Sequence, residues 1–305
     1  GNHVCLFDDL ENHVKEFYIL SQYDDNNVAE EFFDRDGTNS LSANTSTEPN
    51  HLVVGKINST GVWQHYARVE GVEIANANIA CDSFGDVYVS CILLSGNVAT
   101  FYDKDKQNTI TTSAATEDSL MICKLSRDGF WQWFNFASTI IDTDSEFAHN
   151  LEIEKNVLYV RMSLPASTGI DLYDVNSGSP SLSVAGLSGY TRQVIAECSI
   201  DGVWLTSKSI RLDPVLGSGD KMVRTKLRNN NMYCAGSTAV APALIDRDGA
   251  INVTGRVPVD GQVYVAKSSH EELFMPVGIV LRVSGTSPTN NAVIQTGGVV
   301  IYNGL

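Results

Sequence analysis

Few residues of this chain stand where catalysis would need them. Ser188 in GLSGY and Ser218 in GSGDK each follow or precede glycine. Neither stretch has the G-x-S-x-G spacing of a nucleophile elbow or the glycine and lysine pattern of a phosphate-cradling loop. His270 opens HEEL without the second histidine that would set two imidazoles around a zinc ion. His3, His13, His51, His65, His149 and His270 share no spacing that brings two onto one strand face, so they read as surface or core histidines. DRDG occurs at 34–37 and 246–249, and paired aspartates before a glycine can begin a calcium loop. Both copies lack the downstream bidentate glutamate, so the expectation is a polar turn whose aspartate bonds its own backbone. Cys5, Cys81, Cys91, Cys123, Cys198 and Cys234 contain no C-x-x-C pair and so no zinc knuckle or thioredoxin-type motif. They read as small buried hydrophobes kept as reduced thiols, with a disulfide framework left open by the even count. The expectation is therefore no catalytic residue, no metal and no cofactor; the binding residues are unknown.

Charge narrows the partners. Lys and Arg total 21 against 36 Asp and Glu, a formal net charge of −15, which repels phosphate backbones and anionic lipid surfaces and argues against nucleic acid. With 305 residues, 43% hydrophobic and 19% charged, the chain has the composition of a folded protein large enough to need no metal or disulfide. It holds no apolar run of membrane-spanning length, and its first residues lack the basic-then-apolar order of a signal peptide. Sequons at Asn44, Asn58 and Asn252 keep a secreted or cell-surface location as the alternative to cytoplasmic synthesis. Because the chain opens with Gly1, a processed or excised polypeptide, or one that continues upstream, is expected.

The elements that would hold any site come from an internal period. The tryptophans of a G-x-W turn, Trp63, Trp131 and Trp204, are separated by 68 and 73 residues. Tyr18, Tyr88, Tyr159 and Tyr233, each on a strand after a turn, are separated by 70, 71 and 74. Asp34, Asp103, Asp174 and Asp246, each closing an apolar pair, are separated by 69, 71 and 72. Three residue types holding one period define structural anchors. The expected organisation is the second half of a first unit at 1–50, units at 51–118, 119–189 and 190–255, and a C-terminal β module at 256–305. Each unit reads as strands: VVGKI, VWQHYARV, IACDS and VYVSCILL are short, rich in Val, Ile, Tyr and Trp, and bounded by turn residues. In STGV, RDGF and IDGV the glycine stands where a hairpin needs positive φ, and the tryptophan after it is expected to pack between neighbouring units.

The order seen in VVGKINSTGVW and IACDSFGDVYVSC resembles a four-stranded blade of the bacterial and viral type of β-propeller repeat, over about residues 1 to 250. The segment from ATFYD to TITTSA exceeds that family's period and implies an additional hairpin on each blade. The fold expected is all-β, a propeller-like array of units of about 70 residues with a small C-terminal β module; a stacked β array is the alternative. FMPVGIVLRVSG and AVIQTGGVV resemble the terminal β modules of phage and virus structural proteins, and arrays of such repeats resemble those encoded by giant amoebal DNA viruses.

These resemblances imply a non-enzymatic structural or interaction protein of a virion, made in the host cytoplasm. They equally allow part of a larger propeller polypeptide. Its partners would be other protein chains, of the virion or of its own kind. A surface propeller binding glycans or proteins is the alternative, and a propeller hydrolase or lyase a third reading.

Overall fold

The structure is a computed structural model. It describes residues 3–9, 14–23, 31–37, 39–42, 50–104, 108–138, 149–164, 168–175, 177–186, 192–211, 224–228, 231–238, 243–245, 251–254, 262–269, 279–281, 293–296 and 299–302.

Among the described residues every regular element is a strand, and most come as consecutive pairs. The first ten are β1 (His3–Asp9), β2 (Val14–Tyr23), β3 (Glu31–Phe33), β4 (Asn39–Ser42), β5 (His51–Asn58), β6 (Trp63–Glu70), β7 (Glu73–Cys81), β8 (Val87–Leu93), β9 (Thr100–Tyr102) and β10 (Asn108–Thr111). Next come β11 (Ser119–Leu125), β12 (Trp131–Ser138), β13 (His149–Glu154), β14 (Val157–Leu164), β15 (Ile170–Tyr173), β16 (Leu182–Val184), β17 (Arg192–Ser199) and β18 (Trp204–Arg211). The rest are β19 (Arg224–Arg228), β20 (Asn231–Thr238), β21 (Ala243–Ile245), β22 (Ile251–Thr254), β23 (Gln262–Ser269), β24 (Ile279–Leu281), β25 (Val293–Thr296) and β26 (Val299–Tyr302). The chain is all-β, in several antiparallel sheets, none of them closed.

The sheets are interleaved. Sheet 1 has the order β1-β2-β5-β6-β9-β10, and sheet 2 the order β7-β8-β11-β12-β15-β16. Sheet 3 runs β13-β14-β17-β18-β21-β22 and sheet 4 runs β19-β20-β23-β24, while β3–β4 and β25–β26 each stand as two-stranded sheets. Each six-stranded sheet thus takes one hairpin, skips the next, and takes the following one. The four strands that the sequence groups as one blade, β5 to β8, divide between two sheets: β6 pairs with β9 rather than with β7. The cause is local. Between β6 and β7 lie only Gly71 and Val72, and Gly71 adopts φ +77° with its Cα side pressed against the Val98 carbonyl, where an added Cβ would fall 2.2 Å away. The chain bends there into the next sheet, and the edge of β6 is left for β9.

Two compact units are present. One comprises residues 1–160, 170–184 and 197–205, the other 161–169, 185–196 and 206–305. In the first unit sheets 1 and 2 pack face to face. Tyr18, Leu20, Leu52, Val54, Ala67, Val69 and Phe101 of sheet 1 share one core with Val87, Val89, Cys91, Leu93, Met121, Cys123, Leu125 and Trp131 of sheet 2. The alternation of these residues along each strand is the period-2 pattern of a strand with one face turned to a core. In the second unit the described backbone includes β19 to β26, with β20 paired to β23 over the full length of both strands. Among the described residues no helix is long and apolar enough to cross a membrane.

Candidate functional site: the clasps between successive hairpins

The G-x-W turns are built alike at three places. Residues 58–61, 126–129 and 199–202 form four-residue turns closed by the Gly61, Gly129 and Gly202 amides donating to the Asn58, Ser126 and Ser199 carbonyls at 3.0, 2.9 and 3.0 Å. The three glycines have φ of +83°, +87° and +83°, which relieves a side chain of the left-handed strain that the turn imposes. Asn58, Ser126 and Ser199 also cap their own turns, their side-chain oxygens accepting from the Val62, Phe130 and Val203 amides. The register shift that follows, at Lys56/Ile57 and at Lys124/Leu125, is the bulge that such a turn requires.

The tryptophan and aspartate anchors meet. Asp34 Oδ1 accepts the Trp63 amide at 2.9 Å, Asp103 Oδ1 the Trp131 amide at 2.8 Å, and Asp174 Oδ1 the Trp204 amide at 2.7 Å. Each indole then donates to the residue before its aspartate: Trp63 to the Phe33 carbonyl at 3.0 Å, Trp131 to Tyr102 at 3.2 Å, Trp204 to Tyr173 at 3.1 Å. A third bond closes each clasp, from the amides of Arg35, Lys104 and Val175 to the carbonyls of Gly61, Gly129 and Gly202. An Asp carboxylate on a backbone amide is a charge-assisted bond, stronger than the neutral ones around it. Since β9 belongs to sheet 1 and β12 to sheet 2, the Asp103 clasp fastens one sheet to the next. The aspartates of DRDG and its relatives therefore reach a tryptophan 28 to 30 residues along the chain, beyond the local turn that the sequence suggests. The rings pack as well, Trp63 edge-on to Phe32 at 4.9 Å and Trp131 edge-on to Phe101 at 5.2 Å.

The tyrosines mark a second set of contacts. Tyr18 and Tyr88 are fully buried, and Tyr18 donates to the Gly85 carbonyl at 2.9 Å while Tyr88 donates to Asp82 Oδ2 at 3.0 Å. Burial raises the phenols of Tyr18, Tyr88 and Tyr159, so they stay protonated, and Tyr18 and Tyr88 serve as donors. Tyr233 lies on β20, and Asp246 lies outside the described residues, as do Ser188, Ser218, His270 and the second DRDG.

A partly buried ion network, outside the recurring aromatic and acidic anchors, runs beside these tyrosines. Lys56 faces Tyr18 across strands β2 and β5, its Nζ 3.1 Å from Glu16; Lys124 faces Tyr88 across β8 and β11, its Nζ 3.0 Å from Asp86. Arg127, on the turn of the β11–β12 hairpin, grips Glu16 with Nε at 2.9 Å and Nη2 at 3.1 Å. Its amide donates to Asp86 and its carbonyl accepts from Lys56. Burial alone would raise the Glu16 carboxyl, but the hydrogen bonds from Arg127 and Lys56 outweigh it and hold the group below the ordinary value. His65 lies against Gly129 of the next turn, where burial and then the Lys56 and Lys104 cations push its imidazole down to about 4. A signal for this network exists in the sequence: Glu16 and Asp86 both stand two residues before an anchor tyrosine, and Lys56 and Lys124 seven before an anchor tryptophan.

Chemically, the cluster offers paired charges with their bonding capacity turned on each other. Among the described residues no group of three or more His, Cys, Asp or Glu is placed to hold a metal ion. The recurring side chains join hairpins, and Asp34, Asp103 and Asp174 accept main-chain amides rather than presenting a carboxylate to a reactant. Comparison with protein-family models, with characterised proteins and with solved structures gives no match.

Proposed function

We propose that this chain is a non-enzymatic structural and interaction protein, a rigid propeller-like scaffold body that docks to other protein chains. The observation that carries this reading is the clasp: three Asp–Trp pairs direct polar groups to joining hairpins. In this reading the units of 51–118, 119–189 and 190–255 are copies of one module, and interleaving makes each module hold its neighbour. Exposed large apolar side chains among the described residues are mainly aliphatic, Val4, Leu6, Val62, Val98, Val203 and Leu205, with Phe33 and Phe84. Such groups suit protein contact better than sugar stacking, which uses aromatic faces. The hairpin β3–β4, which among the described residues is a two-stranded sheet with no third strand in its ladder, offers main-chain donors and acceptors for pairing with another chain. Assignment to a virus particle rests on the sequence resemblance.

The test is the mass of the native assembly, measured by light scattering beside a glycan-array screen. Recovery in a multi-chain particle, with no sugar bound, supports the scaffold. A free monomer that binds a defined glycan overturns it in favour of a surface-binding propeller, and turnover of any substrate overturns it in favour of an enzyme.

A further inference from the structure

Two of the five cysteines with described side chains touch across the joint between sheets 1 and 2. Cys5 lies on β1 of sheet 1 and Cys81 ends β7 of sheet 2, both half-buried. The Cys81 thiol donates to the carbonyl of Leu6, the residue next to Cys5, at 3.1 Å, and the two thiols perturb each other's ionisation. The Cα atoms of β1 and β7 approach within 8 Å, closer than the ~10 Å usual between facing sheets. Small side chains suit this approach, since Ala77 of β7 is buried in the same core as Phe7 of β1. Cys5 and Cys81 are themselves only half-buried, so solvent reaches the pair.

We propose that Cys5 and Cys81 are a redox-active pair that closes to a disulfide, stapling the β1–β2 hairpin of sheet 1 to β7 of sheet 2. The oxidant is a low-molecular-weight disulfide such as oxidised glutathione. The Cys81 thiolate attacks one sulfur of that disulfide, forming a mixed disulfide and releasing one glutathione thiolate. Cys5 then loses its proton to solvent and attacks the Cys81 sulfur, releasing the second glutathione thiolate. Two protein thiols are oxidised, one glutathione disulfide is reduced to two thiolates, and two protons leave. The order follows from this proximity, because the Cys5 thiol beside it lowers the Cys81 thiol, while Cys81 and burial raise that of Cys5. The other close pair is an internal control. Cys91 on β8 and Cys123 on β11 are diagonal neighbours on adjacent strands, but both are fully buried and burial raises the Cys123 thiol.

The experiment incubates the reduced, desalted chain with oxidised glutathione at pH 8, then denatures, alkylates and maps the peptides by mass. Expected is a cross-linked peptide pair containing Cys5 and Cys81, two hydrogen masses lighter than the sum, with Cys91, Cys123 and Cys198 alkylated in full. In Cys5→Ser the expected product is a stable glutathione adduct on Cys81. The proposal is overturned if Cys5 and Cys81 of the wild-type chain remain as alkylatable as Cys91, if a glutathione adduct persists on Cys81 without closure, or if the link joins other cysteines.

Discussion

Two joints of the first unit use one framework and fill it with opposite chemistry. Where sheet 1 meets the turn at 126–129, the second turn residue is Arg127, gripping Glu16 while its carbonyl accepts from Lys56. Where sheet 2 meets the turn at 199–202, the same position is Ile200, and its carbonyl accepts from the indole of Trp133 at 3.1 Å. Below the turn glycine the first joint places His65 against Gly129, and the second places Trp133 against Gly202. Asn135 adds a bond to the Gly202 carbonyl at 3.2 Å in the second joint, where the corresponding residue of the first is Ala67. The Asp–Trp clasp is common to both. The difference teaches that the clasp and the turn backbone define the joint, while the interior is free to be ionic or apolar. Ion pairs of this kind give little net stability over a well-packed apolar contact, yet removing one partner is costly.

The largest effect that would break this comparison lies in the apolar joint. Trp133 is nearly buried, and Trp133→Ala should cost about 3–5 kcal/mol through the cavity and the lost bond to Ile200. Urea unfolding measures it, and a cost as small as a surface substitution would show that the second joint does not depend on its indole. The ionic joint should respond next. Glu16→Gln leaves Lys56 and Arg127 without their carboxylate and should cost about 2–3 kcal/mol. Asp86→Asn keeps an acceptor for the Arg127 amide and loses only the partly solvated Lys124 pair, so its cost should be under about 1 kcal/mol. Equal costs for the two would sink the claim that Glu16 is the hub.

A smaller change would convert one joint toward the other. Arg127→Ile installs the residue of the second joint and leaves Glu16 with Lys56, so a loss of about 1 kcal/mol is expected. The salt dependence of the unfolding midpoint should shrink with it, because the guanidinium is the more exposed member of the network. An unchanged salt slope would mean that the pair is screened or compensated elsewhere.

How far the sequence carries depends on which link is asked for. Strand content, the three positive-φ glycines and the burial of Trp131 and Trp204 were readable, because turn chemistry and side-chain alternation are local properties. The anchors Trp63, Trp131, Trp204, Asp34, Asp103 and Asp174 were readable as positions, but their union was not: a period aligns each residue with its own copies and is silent on what it bonds. The split of β5 to β8 between two sheets was hidden for a related reason. Pairing between hairpins separated by a third is a long-range choice, and the φ of +77° at Gly71, where the chain passes from sheet 1 to sheet 2, is invisible in the letter G. The Glu16 and Lys56 network escaped because the third copy abandons it, with Val157 and Glu197 at the matching positions, so a search for residues present in every copy passes over it.

A pH effect also separates the joints. The folded-state value of His65, about 4, lies below the ordinary 6.5, so as pH falls through 6.5 the unfolded chain takes up a proton that the folded chain refuses until about 4. Stability is therefore lost on acidification across that window and fully present above it. Glu16 acts lower: its folded value is below the ordinary 4.5, so its stabilisation is kept above 4.5 and lost as pH falls through the folded value. Between pH 5 and 6.5 the two contributions are thus separable, and unfolding midpoints there should fall with acidification in the wild type and flatten in His65→Gln. Trp133 occupies the matching place in the other joint and does not titrate, so Trp133→Phe should leave the slope as it is. If the slope survives in His65→Gln, the acid sensitivity arises outside the ionic joint, and the difference between the two joints is one of packing alone.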